Sequence, residues 1–150
     1  MEQDKALQIV PLNLPDLINI FQNARETDKA ELEALNQSIS CLPFYINPSS
    51  FALLIDGEPV AAFGSVPYLQ TQAVWFFATD RIEETGSIFH RVAKGFVDDL
   101  AADQIATPVI VFVWDKNNTS LQWLKHIGFE ESGYRLGAKE TRVIVMQYRG

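Results

Sequence analysis

The chain is short of cysteine, histidine, basic charge and long apolar runs, and each shortage removes a class of protein. Cys41 is the single cysteine in 150 residues, so no intrachain disulfide framework of the secreted kind is available. The residue is expected as a small core side chain in a reducing, cytoplasmic setting. Two histidines, His90 and His126, add too little to build a Cys/His cluster at metal-ligand spacing, so no metal site is expected. Lys and Arg number 12 against 19 Asp and Glu, a net charge of −7 with a pI near 4.7. That sign repels phosphate backbones over the surface as a whole and argues against a nucleic-acid partner. The opening residues MEQDKALQIV carry charge early and no apolar stretch of the signal-peptide kind. No run anywhere approaches about 18 apolar residues, so neither standard export nor a membrane span is expected. The patterns G-x-S-x-G and G-x-x-x-x-G-K-S/T are absent too, which removes the nucleophile-elbow and P-loop readings.

What is present is the balance of one soluble domain over residues 1–150: 47% hydrophobic and 21% charged residues, enough to build a core without a metal or disulfide staple. Leu7 to Leu12 reads as a short strand, and a helix starts at Pro15 with Leu14, Leu17, Ile18, Phe21 and Ala24 at helical spacing. Asp28 to Gln37 is rich in helix formers and predicts a second helix with a broad solvated face. Pro43, Pro48 and Ser49-Ser50 break regular structure. Phe51 to Ile55, the turn Asp56-Gly57-Glu58-Pro59 and Val60 to Val66 form a hairpin, with Pro67 expected to end the pairing.

Val74 to Ala78 is continuously apolar, as in a strand covered on both faces, and the same holds for Val109 to Trp114. Trp75, Phe76 and Phe77 are accordingly expected in the core. Between these strands Ile88, Phe89, Val92, Ala93, Phe96, Val97, Leu100 and Ala101 trace one face of a helix about four to five turns long. After the second strand, Asp115 to Asn118 leads into a short helix carrying Leu121, Trp123, Leu124 and Ile127 and stopping at Gly128. Phe129 to Tyr134 and Arg142 to Tyr148 read as two further strands joined through Gly137. The order β-α-α-β-β-β-α-β-α-β-β predicts an α/β protein with a mixed sheet flanked by helices. Ligands of such sheets gather at the carboxyl ends of strands, here Ala78-Thr79-Asp80 and Trp114-Asp115-Lys116.

The element order, together with Asn117-x-x-Ser120-x-x-Trp123-Leu124-x-x-x-Gly128-Phe129, resembles the GNAT superfamily of acetyl-CoA-dependent N-acetyltransferases. Within it, Trp75-Phe76-Phe77-Ala78-Thr79-Asp80 and Asn118-Thr119-Ser120 followed by Trp123-Leu124-Lys125-His126-Ile127-Gly128 look like the GNAT-like internal virion proteins of short-tailed bacteriophages. The resemblance implies an acetyl-CoA site. The backbone at Ala78, Thr79 and Asp80 would pair with the pantetheine arm, and Arg81, Gly86 and Ser87 would meet the pyrophosphate at a helix start. Asn117, Ser120 and Leu124 would line the arm from the following helix, and an amine acceptor would enter from the side of the first helix. It also implies a different outcome, a phage virion or interaction protein that keeps the fold without CoA-dependent activity, in a host cytoplasm or a virion.

Two departures from the family pattern bear on that choice. The usual Q/R-x-x-G-x-G/A loop reads Asp80-Arg81-Ile82-Glu83-Glu84-Thr85-Gly86-Ser87 here. Two unit charges of like sign at about 4 Å cost roughly 4 kcal/mol at an effective dielectric of 20, so carboxylates there must point away from a phosphate. Glu83 and Glu84 equally suit a helix start, where negative charge meets the positive end of the macrodipole. Leu124 stands where the family often has a proton-donating Tyr, and a general acid is worth about 10²–10⁴-fold. Tyr134 and Asp115 are the candidate catalytic residues, as proton donor and amine base, against the readings of Tyr134 as a packing residue near a strand end and of Asp115 as a turn former. His126 is expected on the solvated side of its helix and His90 at the edge of an apolar stripe. Asn117 either caps the following helix or bonds a pantetheine carbonyl. Edge strands near the carboxyl terminus suit a homodimer, and the acidic surface suits a phage or host protein partner.

Overall fold

The computed structural model describes residues 6–35, 39–103 and 107–150. Its elements follow the expected order: β1 (Leu7–Pro11), α1 (Leu14–Gln22), α2 (Glu26–Ala34), a 3-10 helix (Ile39–Tyr45), β2 (Ser50–Ile55), β3 (Glu58–Tyr68), β4 (Thr71–Ala78), a 3-10 helix (Asp80–Thr85), α3 (Ile88–Asp103), β5 (Val109–Trp114), α4 (Asn118–Ile127), β6 (Phe129–Leu136), a short 3-10 turn (Lys139–Thr141) and β7 (Val143–Tyr148). The strands make one seven-stranded sheet in the order β1-β2-β3-β4-β5-β7-β6. Every neighbouring pair is antiparallel except β4 and β5. Parallel neighbours cannot be joined by a tight turn, and α3 is the crossover that returns the chain to start β5 beside β4.

The helix ends follow local chemistry. Asn13 caps α1 by accepting from the Asp16 N–H at 2.9 Å, and Asn117 caps α4 by accepting from the Ser120 N–H at 3.2 Å, each satisfying a donor the helix itself cannot. Gly128 terminates α4 in the left-handed conformation. Several boundaries differ from the sequence pattern, among them the start of β4 at Thr71 rather than Val74 and the end of β6 at Leu136 rather than Tyr134. β3 runs through Pro67, which pairs opposite Gln72, to Tyr68, because the proline sits at the outer end of a ladder where a missing donor is tolerated. α2 spans Glu26–Ala34, and the expected extension to 36 and 37 lies outside the described residues. Glu83 and Glu84 lie in the 3-10 helix ahead of α3, whose own first turn holds no acidic residue.

The sheet is covered on both faces, as the continuous apolar runs of β4 and β5 predict. On one face Trp75 and Phe77 of β4 pack with Leu17 and Ile20 of α1 and Leu32 of α2. On the other, Val74 packs with Val97 of α3, Val111 and Val113 of β5 and Leu124 of α4, while Ala78 joins Phe63 and Phe89. Successive β4 side chains therefore serve opposite layers. At Gly64 on β3 the chain is packed too closely for a side chain: a Cβ there would meet the Ser49 carbonyl and Trp75 Cζ2, each at 2.8 Å. Since one of those neighbours is backbone, Gly64→Ala should destabilise the protein by about 1–3 kcal/mol, read as a lower urea midpoint.

Candidate functional site

β4 and β5 hydrogen-bond to each other over only part of their length. Their register covers Gln72↔Val109, Ala73↔Ile110 and Val74↔Val111 and then stops, although β4 continues to Ala78 and β5 to Trp114. Beyond that point the strands part. The Gln72 N–H donates to the Pro108 carbonyl across to the β5 side, and the Thr79 N–H donates to Val60 across to β3. Backbone groups of even-numbered β4 residues therefore face the opening, since a strand alternates its hydrogen-bonding edges. Phe76 and Ala78 are the two such residues past the last β4–β5 pair.

The two fare differently. The Ala78 N–H donates to Asp28 Oδ2 at 2.9 Å, and the Ala78 carbonyl accepts from the Arg25 N–H at 2.8 Å. Ala24 bridges to Thr79 beside them. The segment entering α2 thus occupies the end of the β4 edge and leaves Phe76 as the residue whose N–H and C=O face the parting. Asp28 is 3% exposed and is held by the Arg25 guanidinium at 3.2 Å. Burial still pushes its carboxyl pKa up, against the opposing pull of Arg25 and the Ala78 N–H.

One helical turn on, Glu31 reaches the other strand. Its Oε1 accepts from the Trp114 N–H at 2.7 Å. Burial raises the Glu31 pKa most, the Trp114 N–H lowers it, the Asp28 charge raises it and the Asn117 amide lowers it, with a net value of about 7. The Asn117 Nδ2 makes no hydrogen bond of its own and is buried, so its influence on Glu31 is that of a nearby dipole. A carboxyl group raised by burial on a cavity wall is a candidate for proton exchange.

These groups open on a cavity of about 490 Å³ that passes between the parted strands. On the α2 side its wall includes Arg25, Glu31, Tyr45 and Trp75. On the α3 and α4 side it includes Ile82, Glu83, Gly86, His90, Ser120, Trp123 and Leu124. Trp123 stacks on Phe89 at 5.5 Å and meets Phe76 edge-on at 5.1 Å, so this wall is an aromatic surface. His90 and His126 place their rings 4.7 Å apart across α3 and α4. Gly86 lines the cavity with φ +56 and open space where a Cβ would stand, a conformation that favours glycine.

The sequence-expected residues divide accordingly. Ala78, Gly86, Ser120 and Leu124 line the cavity, and Leu124, 3% exposed, also belongs to the core. Thr79 is buried with its N–H on β3, and Asp80 and Ser87 are exposed outside the wall. Arg81 is turned to Glu84 at 2.8 Å and Glu58 at 2.6 Å, so the carboxylate of Glu84 points into an ion pair. Asn117 acts as the helix cap. Asp115 and Tyr134 are absent from the wall; Asp115 Oδ1 is buried without a hydrogen-bond partner, and Tyr134 on β6 is 73% exposed. Among the described residues no three His, Cys, Asp or Glu side chains form a metal-binding group, and no helix is long and apolar enough to cross a membrane. Sequence reading passed over Asp28 and Glu31. Their signal was the spacing Asp28, Glu31, Leu32, Leu35, which sets two carboxylates on the helix stripe that carries the apolar contacts.

No protein-family model matches the sequence, and no curated protein matches it. In three dimensions the chain is similar to the ribosomal-protein-S18-alanine N-acetyltransferase of Escherichia coli, with 16% identity, a TM-score of 0.69 and coverage of 95% of this chain and 93% of that one. Ard1 of Thermoplasma volcanium gives 16% identity and 0.68 over 95% and 96%. The PaiA N-acetyltransferase of Thermoplasma acidophilum, solved in complex with coenzyme A, gives 10% identity and 0.63 over 96% and 99%. The mixed seven-stranded sheet flanked by helices is the GNAT acyltransferase fold.

A Glu31 pKa of about 7 against 4.5 for a free side chain means that the folded chain binds the extra proton between those values. Its contribution to stability is greatest below about pH 4.5 and is lost as pH rises through about 7. Glu31→Gln, which keeps an oxygen for the Trp114 N–H, should therefore raise the melting temperature at pH 8, by an amount equivalent to on the order of 3 kcal/mol at most. The gain should shrink towards pH 4.5 in a melting series across pH.

Proposed function

We propose that the chain is an acyl-CoA-dependent N-acyltransferase that moves an acetyl group from acetyl-CoA directly to a primary amine. The observation that carries this reading is the Glu31 carboxyl group, near-neutral in pKa, at the point where β4 and β5 part. The fold supports it, as does the coenzyme A bound by one of the structural neighbours.

The donor substrate fits the parting in one respect and less well in another. A pantetheine arm is peptide-like, and an open strand edge suits it; Phe76 supplies one N–H and one C=O, whereas both groups of Ala78 are taken. The reading thus moves the pairing residue from Ala78 to Phe76. Towards the phosphate end, the first turn of α3 has backbone N–H groups without intrahelical partners and His90 lies on the cavity wall, whereas the Gly86 N–H is taken by the Glu83 carbonyl. Arg81 is committed to Glu58 and Glu84.

In the transfer, the amine nitrogen attacks the thioester carbonyl carbon. A C–N bond forms, the C–S bond breaks, and the proton released by the amine passes to Glu31. The thiolate departs and takes a proton from water, since Leu124 has none to give. A cytoplasmic setting goes with this reading and with a single cysteine.

A second reading is a phage virion or interaction protein that keeps the fold without using CoA. The specific observations in its favour are the engaged Arg81 and the apolar Leu124. Titration calorimetry with CoA separates the two: saturable binding in the micromolar range, about −8 kcal/mol, supports the enzyme, and no heat at millimolar CoA supports the scaffold. For the enzyme, thiol release should rise with pH through an apparent pKa near 7. Glu31→Gln should lower kcat about 10²–10⁴-fold and flatten that profile, and an unchanged rate and profile in the variant would count against Glu31 as the base.

A further inference from the structure

The α2 side of the cavity is unlike a site for a polycation. Its wall is built from Leu32, Tyr45, Tyr68, Trp75, Phe77 and Phe112. These rings are packed on one another: Tyr45 meets Trp75 at 4.9 Å and Phe77 at 5.4 Å, and Tyr68 meets Phe112 at 5.0 Å, all edge-on. Among the described residues, charge on this side of the cavity wall is limited to Glu31 and Arg25. The second buried carboxylate nearby, Asp28, is already shared between the Arg25 guanidinium and the Ala78 N–H. One carboxylate therefore remains for one ammonium group.

Resting on the acyltransferase reading above, we infer that the acceptor is a primary monoamine carried on an aromatic body, with its nitrogen at Glu31 and its body against the Tyr45, Trp75 and Phe77 rings. A second ammonium group would have to leave water for an apolar wall and the neighbourhood of the Arg25 guanidinium. Cation–π contact offsets only part of that desolvation. The wall also holds an unused donor, since Trp75 Nε1 is buried without a hydrogen-bond partner. A neutral carbonyl beside the amine gives it an acceptor. Proton transfer points the same way. An α-amino group titrates at about 7.7–8.0 and a lysine side chain at about 10.4, so a base near 7 meets the smaller mismatch with the former.

Phenylalaninamide has all of these features: one amine, an aromatic body, a neutral carbonyl and no carboxylate. The test is thiol release by the full chain with saturating acetyl-CoA and phenylalaninamide, spermidine or Nα-acetyl-lysinamide as acceptor. The expected result is a kcat/KM for phenylalaninamide about 100-fold or more above the other two. Spermidine or the lysine derivative equalling it would overturn the inference while leaving the acyltransferase reading intact. CoA binding by calorimetry with no amine of the panel acetylated would also overturn it. Absence of CoA binding would remove the reading on which it rests, and the inference with it. A second variant probes the wall without touching Glu31. Tyr68 is 43% exposed, so Tyr68→Glu adds a carboxylate at the rim and should raise kcat/KM for spermidine about tenfold. An unchanged preference in that folded variant would contradict the charge argument.

Discussion

Past Val74 and Val111 the two central strands stop hydrogen-bonding to each other, and each backbone group they turn to the gap needs another partner or stays available to a ligand. The chain answers from one short helix. Arg25 and Asp28 close the Ala78 end of β4, and Glu31 takes the Trp114 N–H on β5. What remains open is the Phe76 edge, with a carboxyl group beside it. The cavity, its electrostatics and its two unlike walls all follow from that partial closure.

The arrangement costs stability and places the cost where chemistry would use it. Burying two carboxyl groups one turn apart raises the pKa of both, because each is desolvated and Asp28 also repels Glu31. Asp28 is compensated by Arg25 and the Ala78 N–H, whereas Glu31 has one backbone donor and a nearby amide. The less compensated member of the pair is the one that lines the cavity.

The architecture was largely legible in the sequence because it rests on local signals. The apolar runs of β4 and β5, the 3.6-residue stripe of α3 and the Asn117 and Gly128 ends of α4 each state their conformation within a few residues. The site was legible only in part. Ser120 and Leu124 lie on the cavity wall because they sit four residues apart on one face of α4, but the choice of Phe76 over Ala78 depends on which strand edge is already occupied. That occupant comes from a residue 50 positions earlier in the chain. Arg81 looked free for a phosphate because one of its partners, Glu58, is 23 residues away on β3. Glu31 looked like one more charge on a solvated helix, and only the packing of α2 over the parted strands buries it.

The central claim is that the donor substrate meets the strand edge at Phe76 because Ala78 is already paired within the fold. Backbone amide resonances of the labelled protein, recorded by NMR while CoA is added, test this most directly. The account predicts that the Phe76 amide shifts on titration and becomes protected from hydrogen exchange. The Ala78 amide should be protected before any CoA is present and stay in place. An unmoved Phe76 with a displaced Ala78 would contradict it, and the Asp28 contact would then be a gate that the ligand opens.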